Sequence, residues 1–181
     1  MLGGGLLYSG AGGKGYGWFW TDGRVRGLGG AVVAHGRHRC VLKGSLCEGI
    51  VVRRLLVDGA WDKKSWKGAI AWCSIGDVAG VRNEGRKEIF ASSALMAEAL
   101  AVWYALTWAF DQGSLAVEIC SDCLVLVQGF QKEDRVHPLV RPILSDIVPL
   151  ACKFDYVIVS KVPRTEVRAA HALAKNVKFQ A

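Results

Sequence analysis

Residues 51–181 are predicted to form an α/β fold, a mixed sheet with helices packed on its faces. Three strand-length runs rich in branched residues follow one another between residues 50 and 90, which predicts an antiparallel meander. A long helical segment comes next, followed by a strand, two helical stretches, another strand and a final helix. This order is typical of one mixed sheet that helices cover.

The strands are predicted from composition and turn signals. "IVVRRLLVDG" (50–59) and "KGAIAWCSIG" (67–76) are joined by a turn through residues 62–67, and a third strand is expected over about 78–90. The two later strands are "SLAVEICSDC" (114–123) and "FDYVIVS" (154–160). The sheet is therefore expected to have five strands, the first three antiparallel.

The helices follow from good helix formers and end signals. Residues 92–113 begin with a serine cap, Ser92 or Ser93, and end at Gly113. Shorter helices are predicted in three further segments, "LVLVQGF" (124–130), "HPLVRPILSDIVPLACKF" (137–154) and "TEVRAAHALAKNV" (165–177).

The glycines are concentrated in the first 50 residues, which divides the chain into two parts. Of the 22 glycines, 15 lie in residues 1–50, where ordering the backbone would cost much conformational entropy. We expect residues 1–50 to be a basic, poorly ordered segment and residues 51–181 to be the folded domain.

Charge and cysteine usage limit the partners and the compartment. A net charge of +7 favours a polyanionic partner such as nucleic acid. The six cysteines follow no disulfide framework, which predicts free thiols and an intracellular location, cytoplasm or nucleus. Glu98 interrupts the most apolar long run, 94–110, so no membrane span is expected.

Three carboxylates occupy positions where a lone charge is costly. Asp58 ends the first strand, Glu98 lies on the sheet-facing side of the long helix, and Asp122 ends the fourth strand. Two of them have an ordinary alternative: Glu98 at the edge of the apolar stripe with its charge in water, and Asp122 as a cap for the helix at Leu124. Taken together, hard oxygen ligands on rigid neighbouring elements predict a divalent-metal site.

Six motifs resemble, in order and spacing, the plant reverse-transcriptase-like branch of the ribonuclease H family. They are "LLVDGAW", "KGAIAW", "MAEALAVWYAL", "ICSDCLVLVQ", "HPLVRPILSDIVPLACKF" and "VPRTEVRAAHALAK". The resemblance covers about residues 52–178, and it implies a ribonuclease H-like fold.

The resemblance also implies an activity: hydrolysis of the RNA strand of RNA–DNA hybrids with two Mg²⁺ ions. Asp58, Glu98 and Asp122 match three acidic positions of the family and are the implied catalytic metal ligands. One ion would activate a water and the other would stabilise the leaving oxygen. The fourth position, an aspartate in active members, is His171 here, and neutral imidazole suits Mn²⁺ better than Mg²⁺.

The departures from the family pattern support an alternative function. Besides His171, a histidine that assists catalysis in many family members would fall near 160–161, where this chain has Ser160 and Lys161. Family members also often have an asparagine before the terminal helix, where this chain has Val167. The alternative is a catalytically weak or inactive nucleic-acid-binding module of retroelement origin.

The expected nucleic-acid contacts are Ser93, Lys161, Arg164, Arg168 and Lys175, with a solvated basic helix face as the ordinary alternative for the cations. An RNA–DNA hybrid or another duplex is the expected partner. The chain is expected to be a monomer without a small-molecule cofactor and without a membrane partner.

Tryptophans form a further candidate contact. Any tryptophan on the substrate side is expected to stack on a base, and five are candidates: Trp61, Trp66, Trp72, Trp103 and Trp108. Core packing is the default expectation for Trp72, Trp103 and Trp108.

Overall fold

The computed structural model describes residues 18–21, 24–27, 39–44, 51–75, 83–131 and 136–177. The strands are β1 (Trp18–Thr21), β2 (Arg24–Gly27), β3 (Arg39–Lys43), β4 (Val52–Trp61), β5 (Lys67–Ile75), β6 (Glu84–Phe90), β7 (Ala116–Ser121) and β8 (Tyr156–Lys161). The helices are α1 (Ala94–Asp111), α2 (Leu124–Gln131), α3 (Arg141–Ala151) and α4 (Arg168–Lys175).

The main sheet has six strands in the order β3-β8-β7-β4-β5-β6. β4, β5 and β6 pair antiparallel, as predicted, whereas β4, β7 and β8 run parallel. The prediction of five strands was wrong by one, because β3 adds an antiparallel edge strand to β8. Cys40 and Leu42 of β3 are buried in the main core, so this short strand is stabilised by packing that its glycine-rich surroundings do not reveal.

Much of the glycine-rich front lies outside the described residues. β1 and β2 pair antiparallel, and β3 pairs with β8 within the main sheet. The sheet thus takes one strand from the first 50 residues, and the predicted division at residue 50 stays a prediction. The predicted third strand is β6, with residues 76–82 outside the described part of the chain.

Two hydrophobic clusters cover the two faces of the sheet. Alternation along β4 directs Leu55 and Val57 into the larger cluster under α1, and Leu56 into the smaller cluster under α4. Val167, which replaces the family's asparagine, is fully buried in the smaller cluster. None of the helices in the described ranges is long and apolar enough to cross a membrane.

Helix α1 lies unusually close to β4 at Gly59. A β-carbon added at Gly59 would lie 2.6 Å from the carbonyl carbon of Ala97 and 2.8 Å from the backbone nitrogen of Glu98. Only glycine allows this approach, since the atoms in the way are backbone atoms that cannot rotate aside. The approach brings the second turn of α1 against the strand that carries Asp58.

Gly59→Ala is therefore expected to reduce the free energy of unfolding by about 1–3 kcal/mol, because the added methyl group forces β4 and α1 apart. Urea denaturation measures the change. The matched control is Gly129→Ala on α2, where the added β-carbon would make ordinary contacts at 3.4 Å with the Leu144 and Val136 side chains. An equal effect of the two substitutions would contradict the proposed tight contact.

Candidate metal centre

Two adjacent parallel strands and one helix supply the carboxylates of the site. In the β4–β7 pairing Leu56 lies opposite Cys120, so two residues further along Asp58 and Asp122 come side by side. Glu98 projects from α1, which Gly59 holds against β4. The three elements thus deliver the three predicted acids to one place.

The three side chains form a compact oxygen cluster. One carboxylate oxygen from each of Asp58, Glu98 and Asp122 lies within 4.8 Å of the others. Asp58 is only 3% exposed, and Oε2 of Glu98 is buried with no hydrogen-bond partner among the described residues. Because a buried carboxylate oxygen is costly when it is unpaired, this cluster requires a proton or a cation.

The pKa values of two of the acids are raised. Burial, together with the charges of Asp58 and Asp122, raises the pKa of Glu98 to about 8, while a hydrogen bond from the Gly59 backbone opposes the rise. Burial also raises the pKa of Asp58, which the hydrogen bond with His171 partly offsets. The metal-free cluster therefore holds a proton on Glu98 near neutral pH.

His171 contacts the cluster directly. Its Nδ1 lies 2.9 Å from Oδ2 of Asp58, and its Nε2 lies 3.4 Å from a guanidinium nitrogen of Arg164. An arginine can only donate, so the contacts fit the tautomer in which Nδ1–H donates to Asp58. His171 lies in the middle of α4, and this hydrogen bond fixes the orientation of the buried Asp58 carboxylate.

Arg164 is the cation nearest to the acids in the described part of the chain. Its guanidinium lies 3.8 Å from Oδ2 of Asp122, and its side chain is 69% exposed. The sequence singled out Arg164 as a phosphate contact but gave no sign that it would approach a metal ligand. The loop that carries it is held by Arg54, which the sequence analysis did not select and which pairs with Glu166 at 3.0 Å.

The other four predicted residues lie at the start of α1, at the end of β8 and on α4. Ser93 caps α1, its hydroxyl accepting a hydrogen bond from the Met96 N–H at 3.1 Å. Lys161 ends β8 opposite Ser121, the residue before Asp122. Arg168 and Lys175 are exposed on α4. All four lie on elements that border the acids.

A hard divalent cation fits the acidic cluster. Three carboxylates supply the oxygen ligands that Mg²⁺ and Mn²⁺ prefer, and the unpaired Glu98 oxygen is a ligand atom without another partner in the described ranges. Ionisation of Glu98 on binding would replace one proton with a metal charge.

The family follows from a comparison with known sequences. Residues 56–177 match the model of a family described as reverse transcriptase-like. The chain belongs to the reverse transcriptase-like family. This confirms the family resemblance, while assignment to the plant branch stays a prediction. No curated protein matches this reverse transcriptase-like chain at a significant level.

Solved structures give the fold of this reverse transcriptase-like chain. Ribonuclease H1 of the archaeon Halobacterium salinarum superposes with a TM-score of 0.62 at 24% identity, covering 69% of this chain and 96% of that one. The N-terminal ribonuclease H domain of Rv2228c from Mycobacterium tuberculosis gives 0.61 at 18% identity, covering 70% and 98%. LC11 ribonuclease H1, in complex with an RNA/DNA hybrid, gives 0.60 at 16% identity, covering 69% and 95%. The predicted ribonuclease H-like fold is confirmed.

The stability of the metal-free protein is expected to fall as the pH rises from about 5 to 8. The folded state keeps a proton on Glu98 up to a pKa of about 8, whereas the unfolded state releases it near 4.5. Within this window the free energy of unfolding should drop by about 1.4 kcal/mol per pH unit for this one group. Glu98→Gln has no proton to release and is expected to lose that slope.

Urea unfolding in EDTA at pH 5, 6, 7 and 8 measures the slope. Glu88→Gln, at an exposed position of β6, is the matched control and should retain the wild-type slope. If the Glu98→Gln and wild-type proteins lose stability in parallel, the buried-carboxylate account is wrong.

Proposed function

We propose that this domain hydrolyses the RNA strand of RNA–DNA hybrids with the help of divalent metal ions. The observation that carries the proposal is the convergence of Asp58, Glu98 and Asp122 from three elements, with a buried Glu98 oxygen that lacks a partner in the described residues. Two lines of support add to it. One is the ribonuclease H fold, and the other is a structural relative that is solved with an RNA/DNA hybrid.

The three carboxylates would hold two Mg²⁺ ions, with Mn²⁺ as the alternative. When bound, such ions supply an activated water for in-line attack on the phosphodiester and stabilise the leaving oxygen. The chain contributes rigid positions for the ligands, since Asp58 lies inside a strand and Glu98 lies in a helix packed against it. Glu98 would give up its proton as the site is filled.

His171 and Arg164 would act next to the acids. His171 keeps Asp58 in one orientation through the 2.9 Å hydrogen bond, and its other nitrogen faces Arg164. The guanidinium of Arg164, whose side chain is exposed, would leave Asp122 and contact a phosphate of the bound strand. The ribose 2′-hydroxyl and the groove shape would identify the hybrid.

A border of donors would bind the sugar–phosphate backbone. The Ser93 hydroxyl oxygen accepts the hydrogen bond that caps α1, so its O–H remains able to donate a hydrogen bond to a phosphate oxygen. Arg168 and Lys175 are seven residues apart, so they lie on one side of α4 about 10 Å apart along its axis. Lys161 adds a cation at the end of β8.

A second function, nucleic-acid binding without efficient cleavage, is favoured by a specific observation. His171 takes the fourth position of the site, and with Arg164 it surrounds Asp58 and Asp122 with protein groups. In this case the site would bind a hybrid in a salt-dependent manner and turn it over slowly.

The cleavage assay separates the proposed activity from a general nuclease contaminant. Wild-type protein with a labelled hybrid should release RNA fragments in Mg²⁺ or Mn²⁺, while Asp122→Asn should reduce the rate by at least about a hundredfold because a metal ligand is lost. Asp146→Asn, at an exposed position of α3, is the matched control and should leave the rate unchanged. No cleavage by wild type in either metal, or equal cleavage by Asp122→Asn, would overturn the enzymatic proposal.

His171→Asp distinguishes the two functions. If the fourth ligand limits turnover, a carboxylate at this position is expected to raise the Mg²⁺-dependent rate about tenfold or more, because Mg²⁺ prefers oxygen to imidazole. His171→Asn, which is similar in size to aspartate but carries no charge, should not raise it. An unchanged rate in His171→Asp, together with tight hybrid binding, would support the binding module.

The basic side of α4 is expected to contribute through charge alone. Arg168→Gln with Lys175→Gln should weaken hybrid binding and lower the slope of log Kobs against log salt by about two, one for each lost cation. The matched double variant is Arg141→Gln with Lys153→Gln, two cations that are exposed elsewhere. Fluorescence anisotropy at several salt concentrations measures both slopes, and equal slopes would show that α4 does not contact the backbone.

A further inference from the structure

The turn between β4 and β5 presents a tryptophan to solvent in a strained conformation. Trp66 has a φ of 59°, and it alone has a positive φ among the described residues other than glycine. The residue is 58% exposed, so burial does not compensate for the strain. A bulky residue in the left-handed region is a genuine outlier, and such outliers gather at functional sites.

Hydrogen bonds hold this turn in one shape. The Trp66 N–H donates to the Asp62 carbonyl at 3.0 Å, and the Trp66 carbonyl accepts from the Ala91 N–H at 3.1 Å. The Asp62 carboxylate accepts from the Lys64 N–H at 3.1 Å and from the Ser65 hydroxyl at 2.7 Å. The backbone that carries the exposed indole is therefore fixed, which reduces the conformational entropy lost when a flat ligand stacks on the ring.

The surroundings of Trp66 are cationic and aromatic. Lys63 and Lys64 are exposed in the same turn, and neither forms an ion pair with a described residue. Phe90, at the end of β6 opposite Lys67, is 74% exposed. An exposed indole and two exposed cations in one turn match the chemistry of a nucleic acid, in which bases supply flat faces and phosphates supply charge.

The turn is connected to the acidic site through β4 and the start of α1. The Trp61 indole N–H donates to the Ala91 carbonyl at 2.7 Å, and Ala91 precedes the Ser93 cap by two residues. Asp62 lies four residues beyond Asp58, about 13 Å at the rise of a strand. This distance corresponds to about four nucleotides along one strand.

We propose that the β4–β5 turn, which carries Trp66 with Lys63 and Lys64, is a stacking platform for an unpaired base that flanks the duplex. Bases inside a duplex are stacked on each other, so only an unpaired base offers its face to an exposed indole. The inference rests on the proposed function, because the duplex at Asp58, Glu98 and Asp122 sets which nucleotides reach the turn. The preferred substrate would carry a single-stranded extension.

Binding of two hybrids to the full chain in EDTA, where no cleavage is expected, tests the platform. One hybrid is blunt, and the other carries an overhang of about six nucleotides, long enough to reach the turn. Each end and each strand is extended in turn, and fluorescence anisotropy gives the affinities. Wild type should bind one of the extended hybrids about tenfold more tightly than the blunt hybrid.

Trp66→Ala should remove this gain and leave blunt-hybrid affinity and cleavage unchanged, whereas Trp66→Phe should keep most of it. Leu115→Ala, at a position that is 64% exposed near the start of β7, is the matched control and should retain the gain. Thermal unfolding of Trp66→Gly should show no loss of stability, since glycine relieves the positive φ.

Equal affinity of wild type for blunt and extended hybrids would overturn the platform, and so would an extension gain that survives in Trp66→Ala. Loss of blunt-hybrid binding in Trp66→Ala would also overturn it, because it would indicate a general effect on folding or binding. A platform failure leaves blunt-hybrid cleavage intact. Failure of the proposed function removes cleavage while the extension gain in EDTA persists. The two failures are therefore distinguishable.

Discussion

The close contact of β4 and α1 at Gly59 is the constraint on which the site depends. The absent side chain lets α1 approach until its backbone touches the strand, and this approach places Glu98 next to Asp58. Both carboxylates then lose water, and this burial raises their pKa values. The charge of Asp122 adds to the rise in both, and the charge of Asp58 adds to the rise in Glu98. The packing that stabilises the domain thus creates an electrostatic cost at one point, as is typical of a site that binds a cation.

The metal-free protein lowers that cost in three ways. A proton remains on Glu98, His171 donates a hydrogen bond to Asp58, and Arg164 approaches Asp122. These three interactions differ in how easily they are lost. The proton leaves when Glu98 ionises, and the exposed Arg164 side chain can rotate away from Asp122. His171, in contrast, is held in place by α4. Under the proposed function, His171 is therefore the residue expected to decide between rapid hydrolysis and binding, because it lies beside Asp58.

Local patterns predicted the fold class and the acidic cluster, because branched strand residues, a long capped helix and strand-end aspartates carry their signal within a few positions. They did not include β3 in the sheet, because its buried Cys40 and Leu42 pack against elements that are distant in the sequence. Nor did they predict that Arg164 would approach Asp122, since that contact joins segments far apart in the chain and depends on the tertiary fold. The positive φ of Trp66 could not be predicted either, because tryptophan has no preference for that backbone conformation.

The most direct test of the account is a calorimetric titration of Mn²⁺, a hard ion that stands in for Mg²⁺, into the metal-free protein and into Glu98→Gln. The account predicts saturable binding to the wild type that is at least about tenfold weaker in Glu98→Gln, because the amide lacks the charge that the buried position would otherwise supply to the ion. Equal affinity of the two proteins for Mn²⁺ would contradict the claim that the three carboxylates form a metal site.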